Sequence, residues 1–259
     1  MSVTGAAGDL EFRIAPHHQA GAYAAEFQRR GRVQIPQFLR EEDAQRLYRA
    51  LAQRVRWNLT VLHDVPRDLT PEKWAQLTEA QKAHINQEVI EAAKHRFEGR
   101  YCTIRLSNHG EPYGGDIPEL AALTRFLNGE PYLAFTRAVT GREDIALTDA
   151  QGTLYTPGDF LLEHDDSNTP RRHLAAYILN LTPRWKAEWG GLLQFLDGEG
   201  RVSETFVPAW NAINILKVPQ PHFVSFVAPY ATAGRYSVTG WMRAALSPGS
   251  AHLAETPYG

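Results

Sequence analysis

Apolar positions change their spacing part-way along the chain: helical intervals dominate before about residue 145, and short runs cut by glycine and proline follow it. Residues 17–30 (HHQAGAYAAEFQRR) suit a short helix and 31–39 (GRVQIPQFL) a strand. In EEDAQRLYRALAQRVRW, Leu47, Leu51 and Val55 fall at i, i+4 and i+8, which predicts an amphipathic helix with acids in its first turn. Thr70-Pro71-Glu72 opens another helix, with Thr70 as N-cap and Pro71 at N1, running in one piece or two to about Phe97. Residues 100–115, with Asn108, Gly110, Pro112, Gly114 and Gly115, read as a loop, and a helical pair covers roughly 117–140.

From 145 the pattern predicts short strands at 145–155, 159–166, 173–181, 191–196, 201–207, 212–217, 222–228 and 235–243. Gly158, Pro183, Gly190-Gly191, Asp197-Gly198, Pro208, Pro219, Pro221 and Gly234 separate them. Strands so closely spaced and punctuated predict an antiparallel sandwich or barrel. The expected fold is mainly β with helical support (α+β), in one domain over 1–259. Within it, 1–144 forms a mostly helical support and 145–245 the β core.

Composition narrows the function. A net charge of −2 gives no sign of a nucleic-acid-binding surface. Cys102 is the only cysteine, so an internal disulfide and a thiolate metal site are both excluded. The opening MSVTGAAGDLEF has no basic segment ahead of an apolar one, and no apolar run approaches the roughly 18 residues of a membrane span. A soluble, cytoplasmic protein without membrane or nucleic-acid partners is the expectation.

Metal chemistry then rests on His and carboxylate. His164 and Asp166 close the apolar run LLEHDD, and alternation along a strand would turn both to one face. A third ligand must come from elsewhere, and His222, which opens HFVSFV, is the candidate. Two histidines and one carboxylate leave positions open on an octahedral ion, the ligand set of non-haem iron(II) oxygenases, and suit zinc less well. A His-x-Asp pair alone is common by chance. Arg235 changes the odds: with Ser237, Thr239 and Trp241 it shares one face of a strand, and a guanidinium aimed into an apolar barrel needs an anion. The competing reading is an exposed arginine on an edge strand.

In order and spacing, GDFLLEHDD, RRHLAAYILNLTPRW, WGGLLQF, HFVSFV and RYSVTGW resemble the prolyl 4-hydroxylase-like branch of the Fe(II)/2-oxoglutarate-dependent oxygenases. The resemblance covers about Leu154 to Arg243, with a weaker likeness at 31–56. It implies a double-stranded β-helix (jelly-roll) core and iron ligands His164, Asp166 and His222. It also implies that Arg235, assisted by Thr239, holds the far carboxylate of 2-oxoglutarate. Tyr155 matches a tyrosine that hydrogen-bonds this co-substrate, though it could be only a packed strand tyrosine. Trp241 matches an aromatic that lines the pocket, or serves as core. Arg171 or Arg172 matches an arginine on a peptide substrate's backbone, with the register between them open, and Tyr177 is a further candidate for the pocket. Gly190-Gly191 fits a tight turn with close strand approach. Residues 57–115 fit the family least well, and with them the substrate stays open.

The implied reaction couples decarboxylation of 2-oxoglutarate by O2, giving succinate and CO2, to hydroxylation of a substrate, with ascorbate as reductant. A carboxylate at Asp166 favours hydroxylation over halogenation. A prolyl residue of a protein is the expected substrate. A free amino acid or other small molecule is the rival within the class, and a metal-binding jelly roll without turnover the rival outside it.

Overall fold

The computed structural model describes residues 10–62, 67–108, 111–112, 116–167 and 172–245, without the side chains of 108, 111 and 112. Eight core strands follow the predicted punctuation: Gln151–Tyr155, Phe160–His164, His173–Asn180, Leu193–Leu196, Val202–Phe206, Ala212–Lys217, His222–Val224 and Arg235–Ala244. Counted in that order, the sixth, third, eighth and first lie side by side, as do the second, seventh, fourth and fifth. All these pairings are antiparallel. The chain thus switches repeatedly between two groups of strands, which makes a nearly closed jelly-roll barrel.

Two apolar faces explain the layering. Tyr177, Leu179, Ile213, Ile215, Val238 and Met242 pack outward against helical residues such as Phe27, Leu47, Leu123 and Tyr132. The alternate positions Ala176, Ile178, Leu216 and Trp241 point inward and meet Leu193, Phe195 and Phe206 of the other group. Tyr177 was a candidate for the pocket, but alternation puts it on the helix side, where its hydroxyl donates to the Asp149 carbonyl at 3.1 Å.

The helices form where their apolar stripe has a sheet to cover. Glu41–Gln53 carries Glu41, Glu42 and Asp43 in its first turn, where they complement the helix dipole, and buries Ala44, Leu47 and Leu51 on one side. Leu47 and Leu51 are fully buried, worth roughly 1.5–3 kcal/mol each over exposure. Thr70 caps Pro71–Gln76 by accepting from the Lys73 N–H, and a Thr78/Gln81 capping box starts Glu79–Ala92. Pro118–Leu127 and Glu130–Thr140 are the expected pair.

Five strands among the described residues were not anticipated: the paired Ser107–Asn108 and Glu111–Pro112, together with Asn58–Leu62, Arg67–Leu69 and Gly99–Arg105. The last corrects the loop expected from residue 100. It pairs with the first core strand through Cys102–Arg105 and with the second through Gly99 and Arg100, bridging the two groups. Among the described residues the main sheet has thirteen strands, several of them from the first half of the chain.

Gly190 shows how tightly the turn before the fourth core strand is drawn. Its φ of 70° and ψ of −148° suit glycine alone, and a Cβ there would sit 1.9 Å from the Phe226 carbonyl oxygen. Gly190→Ala is expected to cost roughly 1–3 kcal/mol from backbone strain, with the clash added. A lower thermal midpoint of the purified variant checks this.

Candidate metal centre and anion pocket

His164 and His222 stand directly opposite each other on the antiparallel second and seventh core strands. Their rings lie 4.2 Å apart between centroids. Each ring is oriented by its own chain: His164 Nδ1 lies 2.9 Å from the Leu162 carbonyl and His222 Nδ1 lies 2.7 Å from that of Gln220. A carbonyl only accepts, so both Nδ1 atoms carry the proton and both Nε2 lone pairs are free for an ion. Burial lowers the pKa of His222, and His164 lowers it further, which keeps the imidazole neutral and able to ligate.

Asp166 reaches the same point by a route that alternation does not supply. The strand ends at His164, and Asp166 adopts φ 60°, a left-handed turn that aspartate tolerates better than most residues. Its Oδ1 lies 3.7 Å from His164 Nε2 and its Oδ2 lies 3.5 Å from His222 Nε2. All three ligating atoms fall within 4.8 Å of one another, and this is the only such cluster among the described residues. Two imidazole nitrogens and one carboxylate oxygen converging from one side fit a divalent ion that keeps other positions open.

Arg235, the first residue of the eighth core strand, is 2% exposed. It pairs in register with Tyr155, and its guanidinium lies over the Tyr155 ring, 5.0 Å from the centroid. No carboxylate among the described residues pairs with it, and its Nε is buried without a partner. Burial presses its pKa down, opposed by Tyr155. A Cβ on Gly191 would come within 3.1 Å of Trp185 and Val227, so this glycine, at φ 61°, lets those two side chains close in beside Arg235. A buried guanidinium without a counter-charge is costly, and the donor set fits a carboxylate supplied from outside the chain.

Ser237, Thr239 and Trp241 continue the inward face beyond Arg235. The Ser237 hydroxyl bonds Thr153 at 2.7 Å, and Thr239 stands opposite Gln151 and Ile178. Trp241 packs among the inward apolar residues and stacks on His173 at 4.9 Å. Arg172 is exposed and donates to the Ala245 carbonyl at 3.0 Å. Arg171 lies outside the described residues.

Sequence reasoning missed Tyr101 and Phe97. Tyr101 stacks on Tyr155 at 5.0 Å with rings 5° from parallel. Its pKa is raised by burial first and then by the charge of Asp166, and burial likewise raises Tyr155, so both phenols stay protonated as donors. Phe97 is 48% exposed, with its ring 5.8 Å from that of His164. The only sequence signal for Tyr101 is the alternation in GRYCTIR, which the glycine-rich stretch after it obscured, and Phe97 lies ahead of that strand.

The jelly roll gathers two histidines and an aspartate beside a buried arginine, and the model of the 2OG-Fe(II) oxygenase superfamily matches residues 150–243, from the first core strand into the eighth. Over 131 residues the chain is 32% identical to the prolyl 3-hydroxylase OGFOD1 of Mus musculus. That match covers 48% of this chain and 23% of the relative, so less than a quarter of the relative's length is spanned. A prolyl-4-hydroxylase of Pseudomonas putida superposes with a TM-score of 0.55 at 17% identity, over 88% of this chain and 100% of that one. A prolyl hydroxylase of Trichoplax adhaerens, in complex with a hypoxia inducible factor oxygen degradation domain peptide fragment, gives 0.57 at 14% identity over 92% and 93%. At those identities the two structures share the fold. Among the described residues, no helix is long and apolar enough to cross a membrane.

Proposed function

We propose that this chain is an Fe(II)- and 2-oxoglutarate-dependent dioxygenase that hydroxylates a prolyl residue of a protein and releases succinate and CO2. The observation that carries the reading is Arg235, a buried cation without a counter-charge among the described residues, in the same barrel as the His164, Asp166 and His222 cluster. His164, Asp166 and His222 would hold Fe(II), and Arg235 with Thr239 and Tyr155 would hold the far carboxylate of 2-oxoglutarate. Iron bound there supplies the oxidation, in which one oxygen atom of O2 enters a substrate C–H bond as hydroxyl and the other enters succinate.

Charge balance supports the assignment. Asp166 leaves one positive charge on a divalent ion flanked by neutral imidazoles, and Arg235 adds a second, so the dianionic co-substrate neutralises the pocket. The carboxylate turn and the backbone-anchored rings fix three ligand directions, while Trp241 and the apolar interior exclude water. Ascorbate would keep the iron reduced. The single cysteine Cys102, which can form no internal disulfide, fits the cytoplasmic location that is part of the same proposal. One domain over 1–259 is also part of it, on the ground that strands before residue 145 join the main sheet.

A protein substrate is favoured by the prolyl 3-hydroxylase relative and by exposed Phe97, which offers an apolar surface beside His164. Incubation with Fe(II), ascorbate, 2-oxoglutarate and proline-containing peptides tests it, free proline serving as the competitor substrate. Succinate together with one added oxygen on a peptide proline is expected, and chromatography of the hydrolysate assigns C3 or C4. Oxygen added only to free proline would reject the protein substrate, and no succinate under any condition would reject turnover itself.

A further inference from the structure

We propose that His173 is a positioning residue that locks the turn carrying Asp166. The inference rests on reading His164, Asp166 and His222 as a metal centre. Asp166 holds a left-handed φ of 60° just past the end of its strand, a conformation that persists only where neighbours over-determine it. Two bonds from outside the turn do so. The Gln220 N–H donates to the Asp165 carbonyl at 3.3 Å, which ties the turn to the segment leading into His222. His173 Nδ1 lies 3.0 Å from the Asp166 carbonyl, and because a carbonyl only accepts, Nδ1 carries the proton and donates.

His173 is itself held. It begins the third core strand at a bulge, and its ring stacks on Trp241 at 4.9 Å with the planes 9° apart. Trp241 is packed among Phe195, Phe206 and Ile178 of the barrel interior. The ligand's backbone is thus referenced to the core by one hydrogen bond and one stacked pair, the way outer partners aim a ligand. The other ring nitrogen, Nε2, is buried without a partner, so only one of the two nitrogens has work to do.

That asymmetry gives the test. Asparagine reproduces a donor near Nδ1, whereas glutamine reproduces one near Nε2, and leucine supplies neither. Mn(II) is titrated into full-length metal-stripped wild type, His173→Asn, His173→Gln and His173→Leu, with free Mn(II) read by electron paramagnetic resonance and each thermal midpoint recorded. His173→Gln and His173→Leu are expected to weaken Mn(II) binding about tenfold or more, while His173→Asn stays close to wild type. Unchanged affinity in all three variants would overturn the role. So would a loss in His173→Asn as large as in His173→Gln, or losses that merely track a falling midpoint. Wild type that binds no Mn(II) would reject the metal centre itself, and His173 with it.

Discussion

Replacing His222 by alanine is expected to reduce 2-oxoglutarate turnover to the level seen without added iron. His222 is the most buried of the three ligands, its Nε2 faces Asp166 across 3.5 Å, and no fourth described residue joins the cluster to substitute for it. The fold is expected to survive, because His222 sits at the end of a short strand and its ring makes one hydrogen bond, to the Gln220 carbonyl. Far-ultraviolet circular dichroism separates loss of function from loss of fold. Isothermal titration with Fe(II) under anaerobic conditions reads the metal directly. A folded His222→Ala protein that retains both iron affinity and turnover would end the assignment.

The second large effect is at Arg235. Arg235→Leu is expected to weaken 2-oxoglutarate by roughly 2–5 kcal/mol, about 30-fold to several-thousand-fold in KM, while iron affinity stays near wild type. Removing an uncompensated buried charge has an opposite effect on the empty protein. With no anion present Arg235 opposes folding, so the leucine variant is expected to melt no lower than wild type, and higher if the methyl groups fill the space. Adding 2-oxoglutarate should raise the wild-type midpoint and leave that of the variant unmoved. A lower midpoint with unchanged KM would mean that Arg235 supports the barrel rather than the co-substrate.

The core strands after residue 150 were legible because Gly158, Pro183, Gly190-Gly191, Pro219, Pro221 and Gly234 cut the chain where the barrel turns, and His222 and Arg235 each open a strand directly after such a cut. Asn58–Leu62 and Gly99–Arg105 were not, for a physical reason. Their buried positions include Thr60 and Thr103, whose hydroxyls satisfy each other at 2.7 Å, so a polar letter stands where the pattern demands an apolar one. Asp166 was found for a partly mistaken reason. Alternation predicted its direction, whereas a left-handed turn supplies it, and a turn of that kind leaves no periodic trace. His173 had no legible role, because its partners are a backbone carbonyl and a ring from another strand.

Gly99–Arg105 lies as a seam between the first and second core strands. A fragment cut to begin at the first core strand would keep all three ligands and Arg235, yet it would lose this seam and bare backbone amides and carbonyls along both neighbours. Such open edges invite pairing with another chain, so the fragment would tend to aggregate before it could bind anything. The span that carries the chemistry is therefore shorter than the span that can exist in solution, and a minimal enzyme has to begin ahead of Gly99.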